Sequence, residues 1–184
     1  MSTREYKGFT IELIPDDDAE NPKEWADGPC FLLHYHRQFT HYPKGMPTHG
    51  QAYVDWLGEN YYEVPKDERE WLVFPLESYI HGGVMLAFEG AGNFPDRQWD
   101  VSRCGSILVK KSELWRGADP QKLAEAHLAE WNMYLSGDIW GFKVLDAEGE
   151  EVDLDVCWGN YGEENAFQQA QEAIDVYLEQ DHEA

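Results

Sequence analysis

The sequence predicts one α+β domain over residues 1–184, in which two longer helices pack on an antiparallel sheet. Three observations lead to this prediction. Short apolar runs bounded by turn residues come before a helical segment, a hairpin and a last helix. Hydrophobic residues make up 42% of the chain and aromatic residues 14%, which is enough for a folded core. Strands and helices that occupy separate stretches are typical of the α+β class.

The first half of the chain contains two strand candidates and one short helix. Alternating polarity predicts a strand over residues 8–15. An apolar run that passes into an alternating one predicts a second strand over residues 29–39. Apolar residues at helical spacing then predict a short helix over residues 51–62, after a loop rich in Pro and Gly.

The middle of the chain predicts three further strands. Residues 70–90 suit two short strands joined by a Gly-Gly turn. Pro75 has no N–H to give to a ladder, so the first of these strands is expected at a sheet edge or broken. Residues 91–105 are predicted as a loop and residues 106–111 as a strand.

The helix predicted over residues 119–136 has signals at both of its ends. Asp119 is a favoured N-cap residue, and Pro120 suits the first helical position. Gly137 follows as a C-terminal stop. One apolar stripe runs along this helix and consists of Ala124, Leu128, Trp131 and Leu135.

The chain ends with a predicted acidic hairpin and helix, residues 138–184. The hairpin turns near Ala147–Gly149, and the helix covers about residues 163–180. Strand periodicity gives the returning strand an apolar face made of Val152, Leu154, Val156 and Trp158. The opposite face would carry Glu151, Asp153, Asp155 and Cys157.

Charge is the composition's outlier. There are 36 Asp and Glu residues against 14 Lys and Arg, for a formal net charge of −22. No Lys or Arg follows Lys143, whereas thirteen acidic residues lie from Asp146 onward. Such a chain repels nucleic acid and anionic membrane surfaces, so neither is expected as a direct partner. Its field attracts basic proteins or metal ions.

The carboxylate face of the hairpin suits a partner better than a metal ion. Successive carboxylates on one strand face lie about 6.6–6.8 Å apart, too far for neighbours to share one Ca²⁺. That interval is roughly twice the spacing of phosphates along one DNA strand, about 3.4 Å. The surface could therefore imitate DNA for a basic host protein, or serve only to keep the chain soluble. The candidate partner-binding residues are Glu151, Asp153, Asp155, Glu163 and Glu164.

An alternative site is built on histidine. His34 and His36 would share one strand face, as two metal ligands do, and His81 follows further along. Cys104 could add a thiolate, or act as a nucleophile if Arg103 lowers its pKa. No zinc-finger or H-E-x-x-H spacing is present, so Zn²⁺ is the alternative and no cofactor the main expectation.

The cellular compartment is predicted from cysteine usage and hydropathy. Three cysteines without paired spacing favour a reducing compartment. The N-terminal stretch lacks the apolar region of a signal peptide, and the apolar runs are too short to span a bilayer. A cytoplasmic protein is expected.

Several short runs between about residues 30 and 165 resemble small bacteriophage and prophage proteins of unknown function. The group has runs of the types Y-D-H-S-G, W-D-S-G, Y-L-T-G-D-V-Y-G-F and C-W-G-F-Y-G. The matching stretches here are Tyr79–Gly82, Trp99-Asp100 with Gly105–Ile107, Tyr134–Phe142 and Cys157–Gly162. Ile80 and Gly83 stand where the group has Asp and Ser, and Arg103-Cys104 interrupts the W-D-S-G run.

The resemblance implies a viral accessory protein and assigns no catalytic residues. With the charge, it predicts a non-enzymatic protein that inhibits a host defence or nucleic-acid-handling complex, of restriction or CRISPR type. A metal-dependent enzyme or ligand-binding protein on the histidines, and an acidic phage structural or assembly protein, are the alternatives.

Overall fold

The computed structural model describes residues 2–22, 28–95, 100–154 and 157–183. Residues 181–183 are described by their backbone only. Their contacts divide the chain into two compact units. The terminal unit comprises Met1–Asn21 and Ser136–Ala184, and the central unit comprises Pro22–Leu135. Each unit has its own antiparallel sheet, which confirms the predicted α+β class with two sheets in place of one.

The elements follow one another in an order that alternates between strands and helices. The strands are β1 (Ser2–Tyr6), β2 (Phe9–Pro15), β3 (Cys30–His36), β4 (Phe39–His41), β5 (Trp71–Ile80), β6 (Val84–Phe88), β7 (Val101–Lys110), β8 (Ile139–Leu145) and β9 (Asn160–Tyr161). The helices that the structure bounds within its described residues are α1 (Gly50–Leu57), α2 (Pro120–Ser136) and α3 (Glu163–Glu183). A π-helical turn (Gly58–Tyr62) continues α1, and a 3-10 turn (Lys111–Glu113) follows β7.

The terminal unit is a four-stranded sheet covered on one face by α3. Its strand order is β1-β2-β8-β9. Strands β2 and β8 bring Ile11 beside Val144 and Leu13 beside Phe142, all on the face that α3 covers. From the helix side the core is completed by Ala166, Ala170 and Ile174, which recur at helical spacing and are fully buried. The helix predicted over residues 163–180 is confirmed.

The returning strand predicted after β8 is wrong over most of its length. Among its described residues, it touches β8 through one bridge, between Leu145 and Glu151, and pairs again from Asn160. Between these points β8 advances five residues, from Leu145 to Trp140, and the returning segment nine. The surplus forces the segment out of the ladder, because paired strands advance together. Asp155 and Val156 lie outside the described residues.

A packed corner replaces the missing pairing. Trp158 lies over the backbone of Gly141, where a Cβ atom would come within 2.6 Å of the indole Cδ2. The Nδ2 of Asn160 donates hydrogen bonds to the carbonyls of Trp140 (3.1 Å) and Cys157 (2.8 Å). Trp158 is 50% exposed, so its predicted place on the apolar face is wrong.

The central unit has three layers. Its sheet has the order β4-β3-β7-β5-β6. Helix α2 covers one face, with Ala124, Leu128 and Trp131 packed into the larger hydrophobic cluster. Helix α1 covers the other, where Tyr53 packs against Leu33 and Leu108. Both faces of the central strands are thus buried, which is why their sequences are nearly continuous apolar runs.

Two predictions about the strands of the central unit are wrong, and the prediction of its longer helix is confirmed. Strand β5 lies between β6 and β7, although Pro75 predicted an edge or a break. The carbonyl of Pro75 faces the end of β6, where it accepts from Glu89 N (2.9 Å), so no ladder donor is missing toward β7. Strand β7 begins at Val101, inside the predicted loop. The helix predicted over 119–136 is confirmed, with Asp119 Oδ1 accepting from Gln121 N at 3.0 Å.

The edge strand β6 is closed by a side chain from α2. Asn132 Oδ1 accepts from the N–H of Leu86, and Asn132 Nδ2 donates to the carbonyl of Leu86, both at 2.8 Å. The amide therefore takes the place of a neighbouring strand at one position. Protection of this kind limits pairing of the edge with another chain.

We expect Asn132→Ala to lower the free energy of unfolding by about 1–3 kcal/mol, because both main-chain groups of the buried Leu86 lose their partner. Urea unfolding followed by far-UV circular dichroism measures the change. Asn132→Asp keeps the acceptor and loses the donor. Its free energy of unfolding should lie between those of the unmodified protein and Asn132→Ala. An unchanged midpoint for both variants would contradict the assignment.

Candidate partner-binding surface

Negative charge is concentrated in the terminal unit. This unit carries 20 of the 36 acidic residues and three of the 14 basic ones, for a formal net charge of −17. The central unit carries 16 acidic and 11 basic residues, for a net charge of −5. The charge asymmetry predicted for the C-terminal stretch therefore extends to residues 1–21, which fold with it.

Arg4 on β1 pairs with the first turn of α3. Its Nη1 lies 2.8 Å from Glu164 Oε2, and its Nη2 lies 3.5 Å from Glu163 Oε1. The guanidinium carbon also lies 4.6 Å from the centre of the Phe167 ring, in cation–π geometry. Both carboxylates raise the pKa of Arg4, whose charge is thereby stabilised. Arg4 holds Glu163 and Glu164 in place while it offsets part of their charge.

The other two cations of the unit are paired as well. Lys7 Nζ lies 2.8 Å from Asp175 Oδ1, and this ammonium lowers the pKa of the Asp175 carboxyl. Lys143 Nζ lies 3.0 Å from Glu151 Oε2. Every basic side chain of the terminal unit thus contacts a carboxylate of the same unit. The excess of acidic groups has no counter-charge within it.

The structure divides the five predicted partner-binding residues into three groups. Glu151, Glu163 and Glu164 have the intramolecular cations just described. Asp153 is exposed and forms no ion pair with any residue that the structure describes. Asp155 lies outside the described residues. The even spacing of a strand face is absent at Asp153, because residues 152–154 belong to no strand.

A groove that the sequence did not reveal runs between α3 and the segment around Asp153. Its volume is about 450 Å³. Apolar side chains from both sides line it, namely Phe142, Leu154, Ala173, Val176 and Tyr177. The carboxylates of Asp153 and Glu172, the amides of Gln169 and Gln180 and the thiol of Cys157 complete the lining. In the sequence, the helical side of the groove is visible only as a second apolar stripe on α3, made of Ala173, Val176 and Tyr177 beside the buried stripe.

The histidines proposed as metal ligands lie in different surroundings. His34 is buried, and its Nδ1 lies 2.8 Å from the carbonyl of Phe39. His36 accepts from the N–H of Gln38 at 3.2 Å. His81 is exposed, with Nδ1 3.4 Å from Asp100 Oδ2. Within the described parts of the chain, no three His, Cys, Asp or Glu side chains are grouped to hold a metal ion. The zinc alternative stays a prediction that elemental analysis would test.

His34 instead faces Cys104, with Nε2 and Sγ 3.5 Å apart. Strands β5 and β7 pair Leu76 with Gly105 and Ser78 with Ser102, so two residues of β7 oppose the single Glu77. This β-bulge places the thiol. Because the bond to Phe39 requires a proton on Nδ1 of the neutral ring, the Nε2 lone pair points at the thiol.

Cys104 and His34 both favour their neutral forms. Burial raises the pKa of the Cys104 thiol and lowers the pKa of His34. Arg103 pairs with Glu89 (3.0 Å), so the predicted lowering of the Cys104 pKa is wrong. Cys104 lies in the wall of a cavity of about 420 Å³, and its hydrogen bond with the buried His34 does not favour a thiolate. The sequence could not show it, since 70 positions separate the partners.

No family model, curated protein or solved structure matches this chain. The fold and the surface define its class, an α+β protein of two units in which one unit carries most of the negative charge. In the described residues, no helix has both the length and the apolar composition needed to cross a bilayer. The charged surface of the terminal unit is the feature that best indicates a function.

Proposed function

We propose that this chain is a non-enzymatic phage accessory protein of the host cytoplasm. It binds a basic host complex that handles nucleic acid, of restriction or CRISPR type, and inhibits it. The observation that carries the proposal is the net charge of −17 on the terminal unit, whose three cations are already paired. The resemblance to phage proteins supplies the biological setting.

The physical argument is electrostatic complementarity. A nucleic-acid-binding groove presents Lys and Arg that are arranged to neutralise phosphates. A compact surface rich in carboxylates is attracted to the same groove and speeds the encounter with it. It then excludes the nucleic acid by occupying the site, as a DNA mimic does. Direct binding of nucleic acid by this chain is disfavoured by the same charge.

Two kinds of carboxylate contribute to the proposed contact. Glu163 and Glu164 are held by Arg4, so little side-chain entropy is lost when a partner engages them. Asp153 contributes an unshared charge in the same unit. Glu151 and Asp155 complete the proposed contact set.

The test is a pull-down from host lysate, followed by affinity measurements with the purified partner at increasing salt. Neutralising the contact set by Asn and Gln substitution should weaken binding by roughly a hundredfold, since five exposed charge pairs contribute about 3 kcal/mol in total. Neutralisation is preferable to Lys, which would also repel Arg4 and Lys143. Raising the salt should weaken binding of the unmodified protein, because exposed charges are screened.

A matched control changes the same net charge elsewhere. Five exposed carboxylates of the central unit, Asp55, Glu59, Glu63, Asp67 and Glu68, are neutralised in the control protein. It should bind nearly as well as the unmodified chain. A partner that stays bound at high salt and to both variants would refute the proposal. Recovery only with phage particle components would favour the structural or assembly alternative.

A further inference from the structure

We infer that the groove beside α3 receives an arginine side chain from a basic partner segment. The inference rests on the proposed function, of which it names the contact. The groove is the cavity of about 450 Å³ between α3 and the segment around Asp153. Apolar and acidic side chains line it together, a combination that suits a long side chain with a charged end.

The apolar lining matches the aliphatic part of such a side chain. Leu154 and Ala173 are partly buried and line the groove. Arg and Lys bury their methylene stems against surfaces of this kind while the charged end stays near water. Val176, in the same groove, is 53% exposed and has apolar surface still to be covered.

The acidic lining matches the charged end. Asp153 and Glu172 both line the groove, and neither forms an ion pair with a described residue. Glu172 Oε1 accepts a hydrogen bond from Gln168 Nε2 at 3.0 Å, which leaves its negative charge without a counter-charge. Arg4, Lys7 and Lys143 are each committed to other carboxylates. A guanidinium would supply the missing counter-charge and could bond a carboxylate with two parallel N–H groups.

Arginine fits better than lysine because of Tyr177. Tyr177 lines the groove, and a planar guanidinium stacks on an aromatic face more readily than a hydrated ammonium does. The helical side of the groove runs from Gln169 to Gln180, twelve residues that span about 16 Å of helix. That length accommodates an extended segment of about five residues, so neighbours of the arginine also find contacts.

The experiment measures binding of fluorescent hexa-arginine and hexa-lysine peptides by anisotropy at low salt. The groove variant combines Asp153→Asn with Glu172→Gln. The control variant combines Glu148→Gln with Glu150→Gln, two exposed carboxylates of the turn after β8 that do not line the groove. Both variants lose two negative charges. We expect the groove variant to weaken hexa-arginine at least tenfold, the control less than threefold, and hexa-lysine to bind more weakly than hexa-arginine.

Cys157 provides an independent readout, because its exposed thiol lines the groove. Saturating hexa-arginine should slow its alkylation at least fivefold, with the label located on Cys157 by mass spectrometry. Equal weakening by both variants, or alkylation that the peptide does not slow, would overturn the groove assignment and leave the proposed function standing. Groove binding of hexa-arginine without any host partner would support the groove and count against the proposed function alone.

Discussion

Replacing Trp131 by Ala should lower the free energy of unfolding by about 3–5 kcal/mol, the usual cost of deleting a large aromatic core side chain. Trp131 is 1% exposed, and its ring lies 4.4 Å from that of His41. Its Nε1 also donates to His127 Nε2 at 3.1 Å, a bond that the substitution removes. Since most domains are stable by only about 5–15 kcal/mol, the loss should be severe.

Urea unfolding followed by far-UV circular dichroism tests this, because eight Trp residues make fluorescence hard to assign. Trp131→Phe should cost about 1–3 kcal/mol, as the ring volume shrinks and the N–H is lost. Trp115→Ala is the matched control: Trp115 is 59% exposed, and its removal should change stability by less than about 0.5 kcal/mol. Similar losses for the Ala variants of Trp131 and Trp115 would contradict the position of Trp131 in the core.

Acidification should destabilise the protein through His127 by about 3 kcal/mol between pH 7 and pH 4. Burial lowers the pKa of His127 from 6.5 to about 4. Between pH 6.5 and pH 4, His127 is therefore protonated in the unfolded chain and still largely neutral in the folded chain. The contribution of His127 to the free energy of unfolding is fully present above pH 6.5 and is lost progressively as the pH falls toward 4.

His127→Gln isolates this effect, because the Gln side chain can still accept the bond from Trp131. Glu130, whose carboxylate lies 3.8 Å from His127 Nδ1, acts in the opposite direction: burial raises its pKa, so protonation favours the folded state. His34, whose pKa is lowered, acts in the same direction as His127. Glu130 and His34 both remain in the variant, so their contributions to the pH dependence cancel when the two proteins are compared. Parallel pH–stability curves for the two proteins would show that His127 does not titrate as described.

Local signals in the sequence were sufficient to predict α2. Asp119, Pro120 and Gly137 act within one turn of the helix ends, and they perform the predicted roles. The prediction of the returning strand was wrong for a physical reason. Alternation at Val152 and Leu154 indicates burial, and both residues are partly buried. It does not indicate how many residues the segment advances for each residue of its partner strand. Pairing register is a property of two segments and is invisible in one.

The candidate surface was predictable in sign and position, and its pairing was not. A count of charges shows an acidic C-terminal stretch whatever its fold. That Arg4 would reach Glu164, 160 positions away, depends on β1 lying at the edge of the sheet that α3 covers. The groove and the hydrogen bond between Cys104 and His34 likewise arise where distant segments meet.

The corner at Trp158 has a consequence for how sequences of this type diverge. Gly141 belongs to the run Tyr134–Phe142 and Trp158 to the run Cys157–Gly162, two of the runs that carry the resemblance to phage proteins. A side chain at position 141 would need the space that the indole occupies, so the two positions should change together during evolution. Any chain that carries both runs would face the same packing requirement at this corner. The exposed residues around the corner are not bound by that requirement.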